Sequence, residues 1–318
     1  MIAVLAISVL SQVFLQLYSI CNSRFSGFAM NLIWGMMNDL SFIVSLGMIS
    51  IPIPGIASPI QSLLSSIIYL DLLLTDKWLS TFLEEIDHSS DEDEDMPLNL
   101  FIGSQGFQSR LLLFNLGSTL VFTVIQVLLL LYTGLIKLLS SVCLRAKKQY
   151  AFLEHRFIWG GTFRFIIQQF QPLIFSSLIN IRSVSLSDLQ ASSLGISINF
   201  YLSVVIFAAM MITIIVLFYI VRKGKAGEKR FSTLIEGLNS TNSNLAQYWT
   251  VWTLVKWSLM CFVLILLSDY PCQQIQLLNF LSLLSTAFQL AAKPMKSKNE
   301  NVISTLLLVL LMQVTISL

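Results

Sequence analysis

The chain has 318 residues, 55% hydrophobic and 11% charged, with 19 Lys and Arg against 17 Asp and Glu for a net charge of +2; its mean hydropathy is +0.78. Soluble domains carry roughly a quarter charged residues, so this chain has too few polar side chains to coat a globular surface in water. The small charge surplus points to neither nucleic acid nor an acidic soluble partner, and two His with four Cys (Cys21, Cys143, Cys261, Cys272), none in a C-x-x-C pair, supply no metal-ligand spacing and no disulfide framework.

A bilayer core of about 30 Å takes about 20 apolar residues as helix, because only a helix or a closed barrel satisfies its backbone hydrogen bonds in hydrocarbon. The long continuous apolar runs predict an all-α polytopic transmembrane bundle of about eight spans, one domain over residues 1–318. The first span, 2–20, lacks the basic segment and small-residue cleavage site of a signal peptide. The second, 31–51, is stopped by Pro52-Ile53-Pro54-Gly55. The Ser-rich stretch 60–74 is short and carries Asp71, so it reads as an interfacial or re-entrant helix, with a true span as the alternative.

Residues 84–97 hold the run EEIDHSSDEDED, a solvated acidic loop. Its Asp91-Glu92-Asp93-Glu94-Asp95 core lacks the Gly and the distant Glu of a calcium loop. Spans follow at 111–139 and 157–181, the second interrupted by Arg164, Gln168, Gln169, Gln171 and Pro172. After the span 194–221 comes a polar linker, 222–247, and then spans at 250–267, 275–292 and 302–318. Basic links around Lys147, Arg222 and Lys296 are each separated by two spans, so all fit on the cytoplasmic side. That threading puts the acidic loop and Cys272 outside and keeps the sequon Asn239-Ser240-Thr241 in the cytosol, where it receives no glycan.

Charged groups in hydrocarbon are costly and are the natural functional suspects. Asp39, Arg164 and Lys256 each fall about 9 to 12 Å from the cytoplasmic start of a span. The expected arrangement is a membrane-embedded charge layer in which Asp39 pairs with Arg164, Lys256 stands nearby, and Asn38 and Gln168 complete the hydrogen bonds. It reads as a cytoplasmic gate or ion-path constriction, or alternatively as a structural clamp with Lys256 reaching to the headgroups. Arg222, Lys223, Lys225, Lys229 and Arg230 fix the topology and offer a weak site for anionic lipid headgroups. No phosphate loop, nucleophile elbow or paired carboxylate within a span is present, so neither an enzyme nor a cofactor or metal site is expected.

Several strings carry a resemblance: Asn31-Leu32-Ile33-Trp34-Gly35-Met36-Met37-Asn38-Asp39-Leu40, Gly106-Phe107-Gln108-Ser109 ahead of Asn115 and Gly117-Ser118, Arg164-Phe165-Ile166-Ile167-Gln168-Gln169-Phe170, and Lys293-Pro294 ahead of Asn299-Glu300-Asn301-Val302. They resemble the C-terminal membrane region of large ciliate surface proteins. That region is in turn similar to fungal TRP-like membrane domains of the flavin-carrier type, distant relatives of polycystin channels. The resemblance implies a cation-channel-like or membrane-anchoring role, with a large ectodomain ahead of Met1 and a place in the plasma membrane. It supplies no selectivity-filter motif to match. The bilayer, cations and a second copy of the chain are the expected partners. A transporter or a subunit of an organellar membrane complex is the third class.

Overall fold

The computed structural model describes residues 45–51, 97–107, 109–141, 143–184, 194–228, 230–235, 238–239, 244–295, 301–302 and 305–306. The expected span 2–20, residues 31–44 of the expected span 31–51, the stretch 60–74, the acidic run to Met96 and most of 302–318 lie outside these residues. The described helices are α1 (Leu100–Gly103), α2 (Leu112–Leu116), α3 (Ser118–Leu139), α4 (Leu144–Leu153), α5 (Thr162–Ser183), α6 (Leu194–Arg222), α7 (Trp249–Leu266) and α8 (Pro271–Ala292). No strand occurs among the described residues, only an isolated bridge between Leu238 and Met295.

Four stretches are long and apolar enough to cross a membrane: Ser118–Leu139, Gly195–Arg222, Leu245–Leu266 and Pro271–Ala292. They match four of the expected spans, and the chain is all-helical as expected and fits a membrane location. The outer surface is apolar. Val124, Leu128, Leu131 and Leu135 on α3, Val205, Ile212 and Ile215 on α6, and Phe280, Leu283 and Leu290 on α8 all stand exposed, a pattern that water penalises and acyl chains accept.

The expected span 157–181 takes a different form. A π-helical stretch, Glu154–Gly161, joins α4 to α5, and both junction residues, Glu154 and Gly161, keep right-handed helical dihedrals. Leu144 to Ser183 is therefore one continuous rod. The residues read as a basic link belong to its first turns, and only four positions separate it from the end of α3 at Leu139. The rod runs antiparallel to α3, a register fixed by three side-chain bonds. Thr119 Oγ1 donates to Gln169 Oε1 at 2.8 Å, Gln126 Nε2 to Thr162 Oγ1 at 3.1 Å, and Gln149 Nε2 to the Tyr132 hydroxyl at 3.0 Å.

Helix α5 is the axis of the bundle. It packs against α2, α3, α6 and α7, and every residue from Leu173 to Asn180 is buried. Burial without a 3.6-residue period means that neighbours cover all sides of the helix. Its polar residues exclude it from the four apolar helices and explain its place, since hydrocarbon would leave them unpaired. Aromatic packing fills the core around it: the Phe170 and Trp257 rings lie 6.4 Å apart, and those of Phe107 and Phe175 lie 4.6 Å apart.

One end of the bundle is tied by polar groups. The Ser50 amide donates to Gln274 Oε1 at 3.1 Å and the Ser50 hydroxyl to the Ser268 carbonyl at 2.6 Å. Gln274 Nε2 donates to the Leu264 carbonyl at 3.1 Å, and Arg182 pairs with Asp269 at 2.7 Å while also donating to the Ile265 carbonyl. Gln274→Leu removes two bonds that join the 45–51 segment and α7 to α8. We expect a loss of about 1 to 2 kcal/mol, since interhelical bonds in membrane proteins contribute less than their number suggests. Unfolding of the purified protein in mixed micelles measures it.

Candidate functional site

Polar side chains converge on the interior from three helices. Along α5, Gln169 meets Thr119 and the Gln171 amide donates to the Ser45 hydroxyl at 2.9 Å. Buried Asn180 donates to the Arg110 carbonyl at 3.0 Å and accepts from Ser203 Oγ at 3.0 Å. Helix α7 contributes Lys256, only 3% exposed, and Ser258. Helix α8 turns Gln274, Leu278, Leu281, Ser282, Ser285, Thr286, Gln289 and Ala292 inward, and the Trp252 indole donates to Ser285 Oγ at 3.3 Å. Gln289 is 1% exposed, and its amide, the Ser282 hydroxyl and the Trp257 indole N–H make no hydrogen bond among the described residues.

Of the expected charge layer, Asn38 and Asp39 lie outside the described residues. Arg164 sits in the first turn of α5 and Gln168 one turn on, both half-buried, while Lys256 is enclosed. Phe170 against Trp257 and Arg182 against Ile265 set α5 and α7 parallel. Lys256 is thus level with Phe170 and Gln171, roughly two turns along from Arg164. Arg164, Gln168 and Lys256 thus follow one another along the bundle axis as a ladder.

The basic residues after α6 lie at the opposite end from the Ser50–Gln274 ties. Arg222, Lys223, Lys225 and Arg230 are exposed; Lys229 lies outside the described residues. The segment docks on the π-helical stretch. The Arg230 guanidinium lies over the Trp159 ring at 5.4 Å, Phe231 meets Trp159 and Phe163 edge-on, and Thr250 Oγ1 donates to the Leu234 carbonyl at 2.7 Å. Cys143, exposed in the turn before α4, has its thiol held below the ordinary range by the backbone amides of Ala146 and Arg145. Among the described residues no cluster of His, Cys, Asp and Glu has the makings of a metal site.

Sequence reasoning overlooked Gln274, Gln289 and Asn180, polar groups in otherwise apolar runs. The signal for α8 was present. Positions 274, 278, 281, 282, 285, 289 and 292 recur at helical spacing, and most of them are small or amide-bearing.

Neither protein-family models, characterised proteins nor solved structures match this chain.

Proposed function

We propose that this chain is the membrane-embedded domain of a channel-related protein of the TRP-like kind, crossing the bilayer about eight times and passing cations along its polar interior. The observation that carries the reading is the inversion of polarity. The most polar long helix, α5, has no exposed residue along its length, while α3 and α6 turn bare apolar surface outward. A domain whose only task is to hold on to lipid needs no such interior, since polar groups inside a membrane are expensive and concentrate on solute and ion paths. In this reading Asp39 stands beside the ladder of Arg164, Gln168 and Lys256 and offsets positive charge that would otherwise repel cations from the path.

Support for the threading comes from which links touch. Ser50, near the end of a span expected to finish outside, gathers at one end with Asn99, Arg182 and Asp269 of the links expected outside. The segments around Trp159, Arg230 and Leu234, expected inside, gather at the other. The plasma membrane and assembly as a homo-oligomer go with this reading.

In vesicles reconstituted with the purified chain, monovalent cation flux is expected well above that of empty vesicles, and Asp39→Asn is expected to lower it at least fivefold. Exchanging the charges at positions 39 and 164 together is expected to restore part of what each single reversal removes. Flux at the empty-vesicle level from folded protein rejects conduction. It would favour the second reading, a non-conducting anchor, which the ring packing of Phe170 on Trp257 and of Phe107 on Phe175 through the interior supports.

A further inference from the structure

The same register that makes α4 and α5 one rod also makes the α3–α4 hairpin longer than the rest of the bundle. Ser203 on α6 meets Asn180, and the chain leaving α6 reaches the rod at Trp159. Thr250, at the start of α7, is bonded to the segment that docks there. The inner ends of α6 and α7 thus lie level with the junction between the π-helical stretch and α5. From that level the rod runs on to Leu144, and α3 beside it to Leu139, a projection of roughly 20 Å.

The projecting hairpin is built for neither water nor a protein core. On α3 its surface is Leu128, Leu131, Leu135, Leu138 and Leu139, with Leu138 73% exposed. Helix α4 has no buried residue. Its half-buried Ala146, Tyr150 and Leu153 face α3, and Leu144, Arg145, Lys148 and Phe152 form the face turned away, all exposed. Cations are interleaved with the apolar groups: Lys137 over the Tyr150 ring at 5.9 Å, and exposed Arg145, Lys147 and Lys148. In the described part of the hairpin and its junction, 128–161, Glu154 is the acidic residue set against them.

We propose that the α3–α4 hairpin, Leu128 to Leu153, is a seat for anionic phospholipid, its leucines and Phe152 in the acyl boundary and its four cations on headgroup phosphates. Two observations select lipid as the occupant. The apolar face is continuous with the outward surface of α3, and its positive charge complements the anionic cytoplasmic leaflet, where each Lys or Arg near the surface changes affinity about fivefold. The hairpin leans into the leaflet, since leucines carried upright through the headgroup layer would meet water. This inference rests on the membrane-spanning reading and adds to it a lipid preference.

The test uses the full chain with Cys21→Ser and Cys272→Ser, so that a fluorescent label goes to Cys143 at the hairpin tip. The labelled protein is reconstituted into vesicles of phosphatidylcholine alone or with phosphatidylserine at about one part in three. Resistance to alkaline extraction is scored in parallel. In the serine-lipid vesicles the label is expected to be quenched by lipids spin-labelled high on the acyl chain and shielded from aqueous iodide. Replacing Lys137, Arg145, Lys147 and Lys148 together by Gln is expected to reduce that quenching at least tenfold. Equal iodide access in both vesicle types, in protein that resists extraction, overturns the lipid seat and leaves the spanning reading standing. Extraction by alkali overturns the spanning reading itself. Energy transfer between labelled copies, with no lipid quenching, overturns the seat in favour of a dimer contact.

Discussion

Phe170→Ala should lower the stability of the purified protein by about 2 to 4 kcal/mol, the largest effect of any single apolar truncation in α5. Phe170 is fully buried where α5 meets α7, its ring 6.4 Å from that of Trp257. In a bilayer the hydrophobic effect contributes little between helices, and close packing has to hold them together. Truncation there leaves a void that neighbouring side chains cannot fill without moving the axis helix. Phe170→Leu keeps most of the volume and should cost under about 1.5 kcal/mol. The two variants, compared by unfolding in mixed micelles, separate packing from chemistry. Equal losses would mean that the ring itself, rather than the volume, matters at this contact.

Gly117→Val should cost about 2 to 3 kcal/mol through the backbone alone. Gly117 separates α2 from α3 and has φ 47° with ψ −125°, a region that residues with a Cβ rarely enter. The bend lets α2 place the Leu113 amide against Asn199 Oδ1 of α6 at 3.2 Å while α3 leaves along the rod. Forcing it straight would break one of those engagements. Gly134, in the middle of α3 with open space around its Cβ position, is the control. Gly134→Ala is expected to be neutral or slightly stabilising. Similar losses at both positions would show that the Gly117 geometry is not what the substitution disturbs.

The fold class and four of the spans were legible because they depend on long apolar runs, and a run such as Gly195–Arg222 admits no other structure in lipid. The rod from Leu144 to Ser183 was not legible. Its Arg, Lys and Gln residues look like a loop followed by a broken span, and only the bonds of Gln149, Thr162 and Gln169 to α3 reveal one helix. Hydropathy ranks a segment by its affinity for lipid, and α5 sees mostly protein. The excess length of the expected span 111–139 was visible as a number of residues, but its meaning needed the register with α6 and α7. Within the candidate site, Lys256 was found by its charge and is enclosed as a costly group should be. Gln274 and Gln289 were passed over because the search for costly groups within these spans followed charge, although an amide buried without a partner, as that of Gln289 is among the described residues, is costly as well.

The proposed threading is most directly tested by two cysteines at opposite ends of the bundle. Cys272 in the first turn of α8 and Cys143 before α4 are both exposed, and with Cys21→Ser in place they report the two faces through a membrane-impermeant maleimide. In intact cells Cys272 should label at once and Cys143 only after permeabilisation. Labelling of Cys143 in intact cells with Cys272 protected, or equal labelling of both before permeabilisation, would contradict the arrangement of basic links on the cytoplasmic face.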